Sequence, residues 1–372
     1  MTLILTDEEL ALAESLRKFV ADRSPLTSLR QLIASGEPYD VGVWKQMTAQ
    51  LGLAGLTIPE SYGGAGAGYS ALSVALTELG AGLVASPLLG CVLAAEVLLR
   101  LDDEAAKNEL LPKIAGGELI ATLAVASTVG GHVAAVGSGA GTGDGAVVGG
   151  TVLTGSVSPV LNAAEADVLL VPAEDGDGGT FIYVVDGAAD GLTRTRLTAV
   201  DHSRSLGRVA LAGTPARALA GDAAAALDAA KDLANLALAA ESAGAMKACL
   251  DMTSAYARIR VAFGQPIGAF QAVKHRLADM EKSWELGNAA LRDAARAGDE
   301  QPDRVSAAAS VARVLLAGAY ADAAVDTVEL HGGIGFTWEH DAHLYDKNGL
   351  SNKVLLGGPG EQLDRLAGSL GI

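Results

Sequence analysis

The chain has 372 residues, 50% of them hydrophobic, 19% charged and 4% aromatic, with a formal net charge of −17. That length supports a large core and more than one domain. The acidic balance speaks against a nucleic-acid binder, whose footprint is a basic stripe. It leaves an anionic ligand open, because local Arg, Lys and helix N-termini hold phosphate inside an acidic protein. Cys91 and Cys249, the two cysteines, cannot build a disulfide framework or a zinc site, and six His lie without metal-ligand spacing. The amino terminus lacks the basic start and long apolar stretch of a signal peptide. No uncharged run approaches the ~20 residues of a membrane span. A soluble, cytoplasmic protein without a span is expected.

Residues 6 to about 117 carry helical patterning. Thr6-Asp7-Glu8-Glu9 offers an N-cap and an acidic first turn, and Leu10, Leu12, Leu16 and Phe19 then recur at helical spacing. A Gly- and Pro-bearing loop, Leu51 to Gly64, precedes helices expected over Ser70–Leu83 and Gly90–Leu101. From about 118 to 220 the helical period fades into short β-prone runs: Ile120–Ala126, Ala146–Leu153, Val168–Pro172, Phe181–Val185 and Arg208–Leu211. Their spacing predicts a compact antiparallel unit. Gly137–Gly145 (GSGAGTGDG) reads as a hairpin loop, since a phosphate loop of the GxxxxGK[ST] kind needs a Lys that is missing here. Helical pattern returns over 223–296 and 302–328, followed by loop-rich sequence from 331 to 360 and a short last helix. The chain thus divides into helical residues 1–117, β residues 118–220 and helical residues 221–372, an α+β order.

Two blocks offer chemistry. In Tyr256-Ala257-Arg258-Ile259-Arg260-Val261-Ala262-Phe263-Gly264-Gln265-Pro266, continuing to Met280, one helix ends at Phe263-Gly264 and another opens near Phe270. Arg260 is a planar cation suited to pyrophosphate, Phe263 a flat face for an aromatic ring, and Gln271 a neutral hydrogen-bonding head. An ordinary bundle corner would carry the same pattern. The second block, His331-Gly332-Gly333-Ile334-Gly335-Phe336, sets three Gly within four residues, which lets a backbone approach a ligand or merely turn tightly.

Together, RVAFGQPIGAFQAVKHRLADM, HGGIGFTWEHDAHLY and LLGGPGEQ, with GLAGLTIPESYGG near the amino end, strongly resemble the acyl-CoA dehydrogenase family of flavoproteins, in its bacterial fatty-acid and steroid-side-chain branch. The resemblance covers nearly the whole chain. It implies an N-terminal helical domain, a middle antiparallel β domain and a C-terminal four-helix bundle, with FAD between the last two. The family assembles as a homodimer, a homotetramer or a heterotetramer with a related subunit. Electron-transfer flavoprotein is the implied acceptor and an acyl-CoA the implied substrate. By the same resemblance Arg260, Phe263 and Gln271 hold the pyrophosphate and adenine across the dimer, and Gly333 and Gln362 contact the cofactor. Gly358 lends a backbone N–H to the substrate oxyanion.

The sequence also departs from the family. The two positions where relatives carry their catalytic Glu are Gly358 and Ala234 here, the latter followed by Asn235. The flavin-gripping Thr-Glu-Pro-x-x-Gly-Ser-Asp segment is matched by Ala126–His132, and the Trp-x-Thr by Pro159-Val160-Leu161. Glu241 stands alone among small apolar residues, seven positions after Ala234 and so on the same helix face, ~10 Å along the axis. Apolar surroundings raise a carboxylate's pKa, as a carbon-acid base needs; the bland alternative is a Glu paired with Lys or Arg. Glu361 is the second candidate, with helix capping as its bland alternative. Three readings result: an FAD-dependent α,β-dehydrogenase, a base-less partner subunit of a heteromeric one, or a flavin monooxygenase on the same fold.

Overall fold

The computed structural model describes residues 3–125, 131–136, 151–176 and 178–371. Helices α1 (Asp7–Arg23), α2 (Leu26–Ser35), α3 (Val41–Ala49), α4 (Gly68–Ala81), α5 (Leu88–Arg100) and α6 (Glu104–Ala115) come first. The amino-terminal helix-start signal works as read. Thr6 Oγ1 accepts from the Glu9 amide, and Glu9 Oε2 accepts from the Thr6 amide at 2.8 Å, which satisfies two orphan donors of α1. The start of α4 has no such local cap. Asp299, 230 residues away, accepts from the Tyr69 and Ser70 amides at 2.6 and 3.0 Å.

Strands β1 (Ala121–Leu123), β2 (Gly131–Val136), β3 (Thr151–Leu161), β4 (Val168–Glu174), β5 (Thr180–Asp186), β6 (Leu192–Arg196) and β7 (Leu206–Ala218) form one sheet. The antiparallel expectation holds for β2–β3, β3–β7, β4–β5 and β6–β7, but β1–β4 and β2–β4 pair in parallel. The pairings β4–β2–β3–β7–β5–β4 close on themselves, which protects strand edges. The expected hairpin loop at 137–145 and most of the segment at 126–132 lie outside the described residues.

The remaining helices are α7 (Ala223–Ile259), α8 (Gln271–Glu300), α9 (Pro302–His331), α10 (Ala342–Val354) and α11 (Pro359–Leu370). Alanine-rich α7 starts at Asp222, whose Oδ1 accepts from the Ala225 amide, and runs about 55 Å. It passes through the core, so residues on all its sides are buried between Leu233 and Met246. Segment Pro302–Phe336 has the length and composition to cross a membrane; 61% of its most apolar window is buried inside the protein, the pattern of a core helix.

One sequence expectation is corrected here: 331–360 is not loop throughout, because α10 fills its middle. Polar residues concealed its buried face, as Asn348, Asn352 and His343 face inward with Leu344 and Tyr345. His343 Nε2 is buried without a hydrogen-bond partner, and burial pushes its imidazole down to about 4. The unfolded chain therefore binds a proton below pH ~6.5 that the folded chain refuses until about pH 4. Stability should fall by roughly 2 kcal/mol as pH drops through that window. Urea melts at pH 6.5 and 4.5 on wild type and His343→Leu should show a smaller acid loss in the variant.

Candidate functional site

The helical hairpin between α7 and α8 presents the first set of residues. Helix α7 ends at Ile259, and Val261–Ala262 pairs with Gln265–Pro266 across Phe263-Gly264. Both turn residues have positive φ, 50° and 81°, the geometry of a tight hairpin turn, which costs Gly264 nothing and strains Phe263. The turn thrusts Phe263 outward, 95% exposed, with Phe270 edge-on to it at 6.2 Å. Arg260 and Gln271 are exposed beside it, and the Arg260 guanidinium makes no hydrogen bond or ion pair among the described residues. Exposed Ile259 and Val261 complete an apolar rim. The corner thus exposes a cation, a bare ring and an apolar rim side by side.

Gly333 lies in the 3₁₀ turn Gly332–Phe336, exposed, with nothing within 4 Å of where a Cβ would stand. That open face suits a close backbone approach. The start of α11 is more enclosed. Gly357 has φ 98°, and a Cβ there would sit 2.9 Å from Glu361 Oε2 and 3.1 Å from Gln362 Nε2. Gly358 is the N-cap of α11. Gln362 is buried, and its Oε1 accepts from Asn235 Nδ2 at 2.7 Å and from Ser310 Oγ at 3.2 Å. Positions 234 on α7 and 358 before α11, which the resemblance marks for a base, are linked through the bond between Asn235 and Gln362. Glu361 is exposed on the first turn of α11. At the sheet end, Val160 and Leu161 are buried in β3 and bring neither hydroxyl nor indole.

Glu241 does not sit alone. Its Oε2 accepts from Arg204 Nη2 at 2.6 Å, with side-chain exposures of 15% and 11% for the two residues. The lone-carboxylate expectation is corrected because Arg204 comes from the loop between β6 and β7, distant in sequence. Asp201 Oδ1 folds that loop by accepting from the Ser203 amide and hydroxyl. Asp201 Oδ2 accepts from Asn348 Nδ2 at 3.1 Å, and Arg204 Nη2 also donates to Asn352 Oδ1 at 2.7 Å, so α10 holds the loop in place. Arg313 of α9, fully buried, donates through Nη2 to the Asn352 and Leu355 carbonyls at the end of α10. Burial, and then the like charge of Arg204, pull its guanidinium down to about 10. Arg204, Arg313, Asn348 and Asn352 were not found from sequence, since no spacing joins a β-loop to three helices.

The Arg204–Glu241 pair closes one side of a cavity whose other wall is Leu76, Leu79, Leu83, Leu88 and Leu89. Its volume is ≈ 30 Å³, room for one or two waters. Among the described residues, Glu241 is the single carboxylate on that lining. No cluster of three or more His, Cys, Asp or Glu that could hold a metal occurs among the described residues.

Comparison with known proteins agrees with this architecture. Residues 6–118 match the acyl-CoA dehydrogenase N-terminal domain, and residues 232–357 the acyl-CoA dehydrogenase C-terminal domain. The chain is 34% identical over 366 residues to acyl-CoA dehydrogenase IpdE2 of Mycobacterium tuberculosis, covering 97% of this chain and 96% of that one. Among solved structures, the ChsE4-ChsE5 complex from Mycobacterium tuberculosis superposes with a TM-score of 0.89 at 30% identity, over 100% of this chain and 99% of that one. A variant of the Tcur3481-Tcur3483 steroid ACAD does so with 0.86 at 30% identity, over 98% of each chain. The chain belongs to the acyl-CoA dehydrogenase family, flavoprotein oxidoreductases that act on CH–CH bonds.

Proposed function

We propose that the protein catalyses FAD-dependent α,β-dehydrogenation of an acyl-CoA thioester to the trans-2-enoyl-CoA, with Glu241 removing the α-proton. The observation that carries this reading is the position of Glu241 as the single carboxylate lining the leucine-walled cavity, on the helix that also bears position 234. FAD, when bound, supplies the acceptor for the β-hydrogen and its electron pair. Everything else falls to the chain. Arg260 holds pyrophosphate, Phe263 and Gln271 face the adenine of a cofactor shared with the adjacent protomer, and Gly333 and Gln362 contact it from the bundle. The Gly358 N–H donates to the thioester oxygen as negative charge develops there. Glu361 is the reserve base. Electron-transfer flavoprotein is the proposed acceptor and the cytoplasm the proposed setting.

Anaerobic addition of a panel of acyl-CoAs to the purified, flavin-loaded protein should bleach the flavin absorbance; no bleaching with any of them sinks the proposal for the isolated chain. The hairpin gives a second check. Arg260→Ala should weaken FAD retention about tenfold, the worth of one charge-assisted contact, while leaving the melting temperature of the cofactor-free protein unchanged because the side chain is exposed and unpaired. Absorbance of the gel-filtered protein reads the first and calorimetry the second.

A second reading has its own support. Positions 234 and 358 carry no carboxylate, and Arg204 occupies Glu241. Both facts suit a base-less subunit that completes the cofactor site of a related, base-bearing chain, and ChsE4-ChsE5 is named as a complex of two chains. Activity that appears only on mixing with such a subunit, and survives Glu241→Gln, selects this reading.

A further inference from the structure

Arg204 stands between two spaces. Inward lies the leucine-walled cavity of ≈ 30 Å³. Outward lies a cleft of ≈ 270 Å³ between α2 and the β6–β7 loop, lined among others by Ile33, Glu37, Arg196, Asp201 and His202. We infer that Arg204 is a positioning residue that latches Glu241: an acyl group entering the inner cavity turns the guanidinium out into the cleft, and the same movement frees the carboxylate. The inference rests on the dehydrogenase reading above and extends it to how the base becomes available.

Four observations carry it. The inner cavity holds ≈ 30 Å³ beside the Arg204–Glu241 pair, so an acyl group reaching Glu241 needs the space that the guanidinium fills. Leu76 and Leu88 are 2% and 1% exposed within the main core, whereas Arg204 is a long side chain on a loop with open space behind it. Asp201 Oδ2 already lies 3.7 Å from Arg204 Nε in the closed position, and Glu37 on the cleft lining offers the turned-out cation a carboxylate that offsets the like charge of Arg196 there. In the closed position that Nε is buried without a hydrogen bond, so one donor is left unsatisfied until the side chain turns. Once the cation leaves, the Glu241 carboxylate faces the cavity without its ion-pair partner.

The test is calorimetric titration of the protein with S-octyl-coenzyme A, a thioether that cannot be dehydrogenated. Wild type should bind it, and Arg204→Ala should bind about tenfold tighter, the factor by which a one-in-ten open population weakens apparent affinity. Because Arg204→Ala leaves a buried charge unpaired and can fail to fold, the neutral double variant Arg204→Met/Glu241→Gln keeps the volume and should also bind more tightly than wild type. A side chain that serves only the fold would weaken binding when removed, not strengthen it. Binding by wild type with neither variant tighter overturns the latch alone. No binding by any of the three proteins removes the acyl-CoA reading and the latch with it.

Discussion

Glu241→Gln is expected to lower kcat/KM for acyl-CoA by about 10²–10⁴-fold, the usual contribution of a general base, while bound FAD stays at the wild-type level. Gln keeps the volume of Glu and an acceptor for Arg204 Nη2, so the loop that Asp201, Asn348 and Asn352 hold in place need not move. The proposed cofactor contacts at Arg260, Phe263, Gln271, Gly333 and Gln362 are not touched. Flavin absorbance then separates loss of chemistry from loss of cofactor. If turnover survives, the base lies elsewhere, and Glu361→Gln on the first turn of α11 becomes the next variant to measure.

Gly244→Ala should be the most damaging single-methyl change, costing roughly 3 kcal/mol or more as overpacking against backbone that cannot retreat. Helices α4 and α7 cross with glycines on both sides. A Cβ at Gly244 would overlap the Thr77 carbonyl oxygen and come within 2.9 Å of the Ala81 amide nitrogen. One at Gly80 would lie 2.6 Å from the Glu241 Cα. The close crossing is what sets Glu241 against the wall formed by Leu76 and Leu79, so forcing the helices apart moves the candidate base as well as loosening the core. Chemical denaturation measures the loss. Gly318→Ala is the control: nothing lies within 4 Å of its added methyl, and the change should stabilise α9 by about 0.5–1 kcal/mol through helix propensity alone. Equal effects at the two sites would remove the crossing argument.

Local chemistry was readable wherever the partners lie close in sequence. The Thr6/Glu9 cap, the start of α8 next to Phe270 and the order of helix, sheet and helix all follow from spacings of a few residues. The hairpin that carries Arg260 and Phe263 was legible for the same reason, although α7 stops four residues earlier than Phe263. Helix α10 was not, because its inward face carries His343 and two asparagines, Asn348 and Asn352, whose partners are contributed by the β6–β7 loop and other helices. The mixed strand directions were equally hidden, since a β-prone run carries no mark of whether its neighbour runs parallel or antiparallel.

What the sequence determined by itself is therefore the family, the order of helical and β segments, and the exposed cation and ring on one helical corner. Each of these depends on residues adjacent along the chain, where periodicity, capping and turn chemistry act. Only the tertiary structure decided what surrounds Glu241. Its partner Arg204 lies 37 residues earlier in a loop that Asp201 folds and α10 pins, and the leucines facing it come from two helices far upstream. A buried charge takes its properties from whatever the fold brings within a few ångströms, and no run of neighbouring residues records that.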